Sequence, residues 1–240
     1  MNNPRYLLIQ IRDVDDPIRL QEVGCFADAL QCPQESVTVF DLLSTSLNAS
    51  HLADIDMVMI GGSGRYSVTS DAAWMQKAIV SLERLLESGK PTFASCWGFQ
   101  ALARAAGGKV IHDLQHAELG TSLVTLTEAG KLDPIFSQLP ESFEAYMGHE
   151  DRVIEMPPGT TLLASTASVA QQAFRFDGLP VYCTQFHPEL TLPSLLSRIE
   201  AYPEYCERIA QLPFDVFRRQ CQAAPQCEAL LPLFRDHFLG

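Results

Sequence analysis

The chain has 240 residues, 47% of them hydrophobic, which suffices for the core of one large α/β domain. A formal charge of −12 would repel a phosphate backbone, and no basic cluster or aromatic-basic interleaving overrides it locally, which argues against nucleic acid as a partner. The cysteines at 25, 32, 96, 183, 206, 221 and 227 are odd in number and contain no C-x-x-C pair, and no apolar run is long enough for a signal peptide or a bilayer-spanning helix, so the expectation is a cytoplasmic enzyme with reduced thiols, no metal and no membrane attachment.

In chain order, residues 6 to 11 read as a buried strand. Asp16 followed by Pro17 opens a helix that runs to about Leu30, and strands follow near 36 to 40 and 57 to 60. Ser70 is placed as the cap of the next helix, in which Trp74, Ala78, Leu82 and Leu85 recur at helical spacing until Gly89 and Pro91 stop it. Residues 91 to 95 form a strand ending at Cys96, and a helix follows, closed by Gly107 and Gly108. From 109 to 186 the pattern is shorter and more β-like, with strands at Leu123 to Leu126, Phe143 to Met147 and Thr161 to Leu163 and a hairpin turning at Asp177-Gly178. Prolines at 193, 203, 213, 225 and 232 divide the last fifty residues into short helices, the last carrying Leu230, Leu231, Phe234 and Phe238 on one side.

Three segments carry chemistry. In Ala94-Ser95-Cys96-Trp97-Gly98-Phe99-Gln100 a strand turns sharply into a helix, with small residues two before and two after the cysteine, where such an elbow is crowded. The helix N-terminus favours the thiolate, so Cys96 reads as a nucleophile while the other six cysteines read as buried side chains. In Gln185-Phe186-His187-Pro188-Glu189, the proline biases His187 to an extended conformation, so that residues two apart point the same way and Glu189 can orient the imidazole. Cys96, His187 and Glu189 then form a triad with His187 as acid and base. His51, His112 and His237 read as surface or cap histidines. In Met57-Val-Met-Ile-Gly61-Gly62-Ser63-Gly64 a strand enters a glycine-rich turn without the phosphate-binding spacing; the backbone N–H of Gly62, with that of Trp97, suits an oxyanion hole.

The order and spacing of these motifs, A-S-C-W-G-F-Q against the family's G-x-C-x-G-x-Q at the elbow, Q-F-H-P-E, and an early G-G-x-G, resemble the class I glutamine amidotransferases over roughly residues 5 to 190. The resemblance implies a flavodoxin-like three-layer α/β sandwich with a mainly parallel sheet and added antiparallel strands (1–190), followed by a helical C-terminal extension packed on the same domain (191–240). It implies Cys96 as nucleophile, His187 as acid/base and Glu189 as orienter, with Gln100 near the bound glutamine. Met147-Gly148-His149-Glu150-Asp151 looks like the family's S-H-x-D segment, which would set His149 and Asp151 against the amino-acid end of the substrate, and His116, Glu118 and Gly120 resemble an E-x-G segment beside the site. Ala94 in place of the elbow's first glycine, Ser63 in place of a common proline, and the bulky Trp97 depart from the family pattern.

The implied reaction is attack by the Cys96 thiolate on a γ-carboxamide, loss of ammonia and hydrolysis of a glutamyl thioester, without a cofactor. About fifty residues follow the triad, too few for an ATP-dependent acceptor domain, so either a separate synthase subunit takes the ammonia or the enzyme acts alone on a γ-glutamyl amide or peptide. A catalytically silent binding module is the third reading, and a homo-oligomer is compatible with all three.

Overall fold

The computed structural model describes residues 4–240. Its main sheet has nine strands in the order β2-β1-β3-β4-β11-β10-β9-β6-β7. The strands β1 (Tyr6–Gln10), β2 (Val37–Asp41), β3 (Met57–Ile60), β4 (Thr92–Ser95) and β11 (Val181–Thr184) are mutually parallel. β1, β3, β4 and β11 are buried along their whole length, which is why they read as unbroken apolar runs rather than alternating ones: helices cover both faces.

On one face, α3 (Ala73–Ser88) and α4 (Trp97–Ala105) pack Leu82, Leu85, Phe99 and Leu102 against Ile9, Ile60 and Ala94. On the other, α1 (Ile18–Ala29) and the C-terminal helices pack Phe26, Leu195, Leu231 and Phe234 against Leu8, Met59 and Phe93. A short helix (Ala49–Leu52) lies between β2 and β3. The result is the three-layer α/β arrangement anticipated from the sequence.

The antiparallel half of the sheet comprises β6 (Glu118–Leu126), β7 (Ser142–His149), β9 (Thr160–Ser165) and β10 (Ala173–Phe176). β10 turns into β11 through Asp177 and Gly178, the glycine supplying φ 77°. β5 (Lys109–His112) and β8 (Asp151–Glu155) form a separate antiparallel ribbon whose register sets His112 opposite Asp151. In the main sheet, the β6–β7 register sets Glu118 opposite His149.

After β11 the chain forms a ten-residue helix (Leu192–Ala201), a turn of π-helix (Cys206–Ala210), two single turns (Phe214–Phe217 and Pro225–Glu228) and a final helix (Leu230–Leu239). The first starts where Thr191 and Ser194 cap each other with Pro193 in the first turn. In the last, Phe234 meets Phe93 and Tyr182 edge-on at 5.3 and 5.6 Å, so this segment completes one side of the core. Burying each such side chain contributes about 1.5–3 kcal/mol.

Two boundaries differ from the sequence reading. The helix assigned to a Ser70 cap begins at Ala73; Ser70 Oγ instead accepts from Ala72 N–H, closing a turn ahead of the helix. The final helical stretch is interrupted at Ala229 rather than at Pro232, because a proline spoils the hydrogen bond and the space one turn before itself. Among the described residues, no helix is long and apolar enough to cross a membrane.

Candidate active site

The carboxyl ends of β3, β4 and β11 converge, the place where open parallel sheets bind ligands. Each strand delivers one of the three sequence segments. At the end of β4, Cys96 adopts φ 52° and ψ −103°, a backbone conformation costing about 1–3 kcal/mol for a residue with a side chain. Neighbouring bonds hold it there: Cys96 N–H donates to Thr184 O (2.8 Å) on β11, and Gly98 N–H to Gly61 O (3.2 Å) on the loop after β3. A Cβ on Gly98 would lie 2.8 Å from Cβ of Ile60 and 2.9 Å from its carbonyl oxygen, so the elbow closes only with glycine at that place.

His187 follows β11, its N–H bonded to Tyr146 O at 3.0 Å. Its Nδ1 donates to Glu189 Oε1 at 2.7 Å; the pair foreseen across Pro188 forms, but through a turn in which Leu190 N–H donates to His187 O (3.3 Å) and not through extended chain. A Cβ built on Gly62 would sit 3.1 Å from Cε1 of His187 and 3.9 Å from Sγ of Cys96, so loop, ring and sulfur meet at one point. The structure thus brings Gly62, Cys96, His187 and Glu189 together. Cys96 Sγ also lies 3.6 Å from the carbonyl oxygen of Gly148.

Burial alone would lower the His187 pKa; the negative charges of Glu189 and Cys96 and the hydrogen bonds to them outweigh it and raise the value to about 9. Burial would raise the pKa of Glu189, but His187 and then Arg198 hold it below the ordinary carboxylate value. The site therefore favours an imidazolium against a buried carboxylate. Arg198, from the helix after Thr191, lies 3.6 Å from Glu189 Oε1 and donates through Nε to Gln21 Oε1.

The N–H groups of Gly62 and Trp97 donate to no backbone or side-chain acceptor among the described residues, which leaves both free beside the sulfur. The Trp97 indole turns toward Trp74, 6.4 Å away, and is buried under α3 and α4.

Gln100, His149 and Asp151 all border a polar cavity of about 330 Å³ that reaches Cys96. Gln100 Nε2 donates to Asp151 O (2.7 Å) and Gln185 Oε1 (3.0 Å). The His149 ring is braced at both nitrogens, Nδ1 at Asp151 O and Nε2 at Glu118 Oε2, each 3.1 Å. Asp151 has one carboxylate oxygen on His112 Nδ1 (2.9 Å) and the other on Ser67 Oγ. His112, read from sequence as an ordinary surface histidine, is thus part of the cavity wall.

Glu118 of the E-x-G segment also accepts from Gln172 Nε2, while His116 pairs with Asp113 and Gly120, at φ 92°, packs against Phe217. Arg198, Tyr202 and Tyr205 had no sequence signal beyond an amphipathic C-terminal segment. Tyr205 donates to Gly64 O at 3.0 Å, clasping that segment onto the glycine loop.

The family description glutamine amidotransferase class-I matches residues 25–196. The chain belongs to the class-I glutamine amidotransferase family. Within it, this chain is 29% identical over 182 residues to the glutamine-hydrolysing GMP synthase of Aspergillus fumigatus, covering 72% of this chain and 28% of that protein. It is 40% identical over 106 residues to the GMP synthase of Thermomicrobium roseum, covering 44% and 19%. The chain thus spans less than a third of these curated relatives. A glutamine amidotransferase of Thermotoga maritima superposes with a TM-score of 0.75 at 18% identity over 98% of this chain and 96% of that one, showing the shared fold. A glutamine amidotransferase from Methylobacillus flagellatus does so at 0.71, 19%, 98% and 95%.

Proposed function

We propose that this chain hydrolyses the side-chain amide of glutamine through a thioester on Cys96 and supplies the ammonia to a synthase partner. One observation carries the reading: a cysteine held at φ 52° on an elbow meets a histidine whose other nitrogen is bonded to a buried carboxylate.

The Cys96 thiolate adds to the carboxamide carbon, forming a C–S bond and placing negative charge on the carbonyl oxygen. The N–H groups of Gly62 and Trp97 receive that oxygen. His187 gives its proton to the nitrogen, the C–N bond breaks and ammonia leaves. Neutral His187 then takes a proton from water as the water attacks the thioester; the C–S bond breaks, and glutamate and the thiolate–imidazolium pair are restored. Glu189 fixes the ring tautomer and stabilises the imidazolium in both halves, and Arg198 keeps Glu189 ionised.

Gln100, His149 and Asp151 shape the polar cavity for the amino-acid end of glutamine, His149 acting through the backbone it braces. Residues 1–190 act as the amidotransferase unit and 191–240 as an extension that walls the site. The relatives named as glutamine-hydrolysing GMP synthases support a synthase as the ammonia acceptor. Seven free cysteines suit a reducing cytoplasm.

The test is release of glutamate and ammonia from glutamine by the purified chain, alone and with a synthase partner, beside Cys96→Ala. The proposal expects turnover by the parent and about a 10⁴-fold loss or more in the variant. Equal rates would exclude Cys96, and no turnover under any condition would favour a binding module.

A further inference from the structure

Cys96 borders two spaces of opposite character. Beside the polar cavity lies a second recess of about 40 Å³, lined by His187 and by Leu190, Leu195 and Ile199, all buried. Ser63, Gly64, Cys96, Gly148 and Tyr205 border both spaces, and of the other lining residues only Leu119 is not buried. The two spaces therefore adjoin at the nucleophile.

The chemistry proposed above assigns each space a substituent. The tetrahedral carbon carries sulfur, the oxygen held by Gly62 and Trp97, the methylene leading to the amino-acid end, and the departing nitrogen. The nitrogen must face the proton donor. His187 lines the apolar recess and not the polar cavity, so the nitrogen and whatever it bears point into the recess, while the charged amino-acid end takes the polar side.

We propose that this recess is the leaving-amine pocket, that it admits ammonia, methylamine and ethylamine, and that Leu195 and Ile199 set its limit, so that small N-alkyl γ-glutamylamides are substrates and γ-glutamyl peptides are not. The inference rests on the thioester reading above and names its substrate range. A water takes up about 30 Å³ of liquid, so a recess of about 40 Å³ seats only a small amine. Ethylamine has three non-hydrogen atoms, whereas butylamine and glycine have five each. Arg198 lines the recess, and its terminal nitrogens make no hydrogen bond although Nη1 lies 3.6 Å from Glu189 Oε1, so a carboxylate would not be repelled by charge alone; size is the barrier.

The experiment measures kcat/KM of the unaltered chain for glutamine and for the N-methyl, N-ethyl and N-butyl γ-glutamylamides and γ-glutamylglycine. Methyl and ethyl amides are expected within about tenfold of glutamine, and the butyl amide and γ-glutamylglycine at least about a hundredfold below it. Leu195→Ala should raise the butyl-to-glutamine ratio at least about tenfold, and Ile199→Val should move it in the same direction with less disturbance of the core. Butyl amide and γ-glutamylglycine cleaved as well as glutamine would overturn the inference while leaving the Cys96 reading intact, as would unchanged ratios in folded variants. γ-Glutamylglycine accepted with the butyl amide rejected would also overturn it, showing that Arg198 rather than volume selects. Failure of every substrate, with Cys96 unreactive, would instead sink the catalytic reading on which it rests.

Discussion

Glu189→Gln keeps the size of the side chain and an acceptor for His187 Nδ1 but deletes the charge. In the parent, burial pulls the His187 pKa down, and Glu189 and Cys96 carry it up to about 9 from 6.5. That difference corresponds to about 3 kcal/mol favouring the imidazolium. The sign follows from linkage: a pKa raised in the folded state contributes stability that is complete below about pH 6.5 and is lost as pH rises through about 9. With Glu189 neutralised, burial persists, and Arg198, 3.6 Å from the carboxylate it formerly balanced, adds a facing positive charge. Both act against the imidazolium, so its pKa falls. The alkaline limb of kcat/KM for glutamine, near pH 9 in the parent, should move toward acid by about one to three pH units in the variant, and the rate at pH 7 should fall about 10²–10⁴-fold. A pH–rate profile of ammonia release on both proteins, with folding checked by circular dichroism, measures the shift. An unchanged alkaline limb in a folded Glu189→Gln protein would refute the assignment of that limb to His187 and of its elevation to Glu189.

Gly62→Ala should lower kcat about 10–100-fold with little change in thermal midpoint, because the new methyl would sit 3.1 Å from His187 Cε1 and push the ring off the sulfur; an unchanged kcat would remove the loop from the site. Arg12→Met should cost about 3–5 kcal/mol in urea unfolding, since Arg12 bonds Glu22 (3.0 Å) and Asp16 (3.2 Å) out of solvent and its loss strands both carboxylates; a loss below about 1 kcal/mol would contradict a fully desolvated pair. His149→Gln should raise KM for glutamine more than it lowers kcat, because the ring braces Asp151 and Glu118 around the polar cavity and does not touch the sulfur; a selective fall in kcat would assign it a part in the bond-breaking steps.

Much of the fold was legible because the parallel strands are buried on both faces, so that Met57–Ile60 and Val181–Thr184 appear as plain apolar runs. The elbow was legible because sterics demand small residues beside Cys96, and the gap between Gly98 and Ile60 shows why. The His187–Glu189 pair was legible because the two lie only two residues apart, although a turn closed by Leu190 N–H on His187 O, and not the extended chain expected, brings them together. What stayed hidden depends on long-range packing. Arg198 reaches Glu189 only once the helix after Thr191 docks on α1, and Tyr205 reaches Gly64 across 141 residues of sequence. His112 gave no signal because its partner Asp151 is fixed by the register of β5 against β8, which no local pattern encodes. The helix start at Ala73 was displaced from Ser70 because that residue's turn, whose carbonyl accepts from Arg104, is held by tertiary contacts.

The most direct test of the account is mass spectrometry of the chain acid-quenched during turnover with glutamine, followed by proteolysis. The account predicts a single glutamyl group on the peptide carrying Cys96, accumulating further when hydrolysis of the thioester is slowed. A glutamyl group on any other peptide, or steady release of ammonia with Cys96 never acylated, would contradict it.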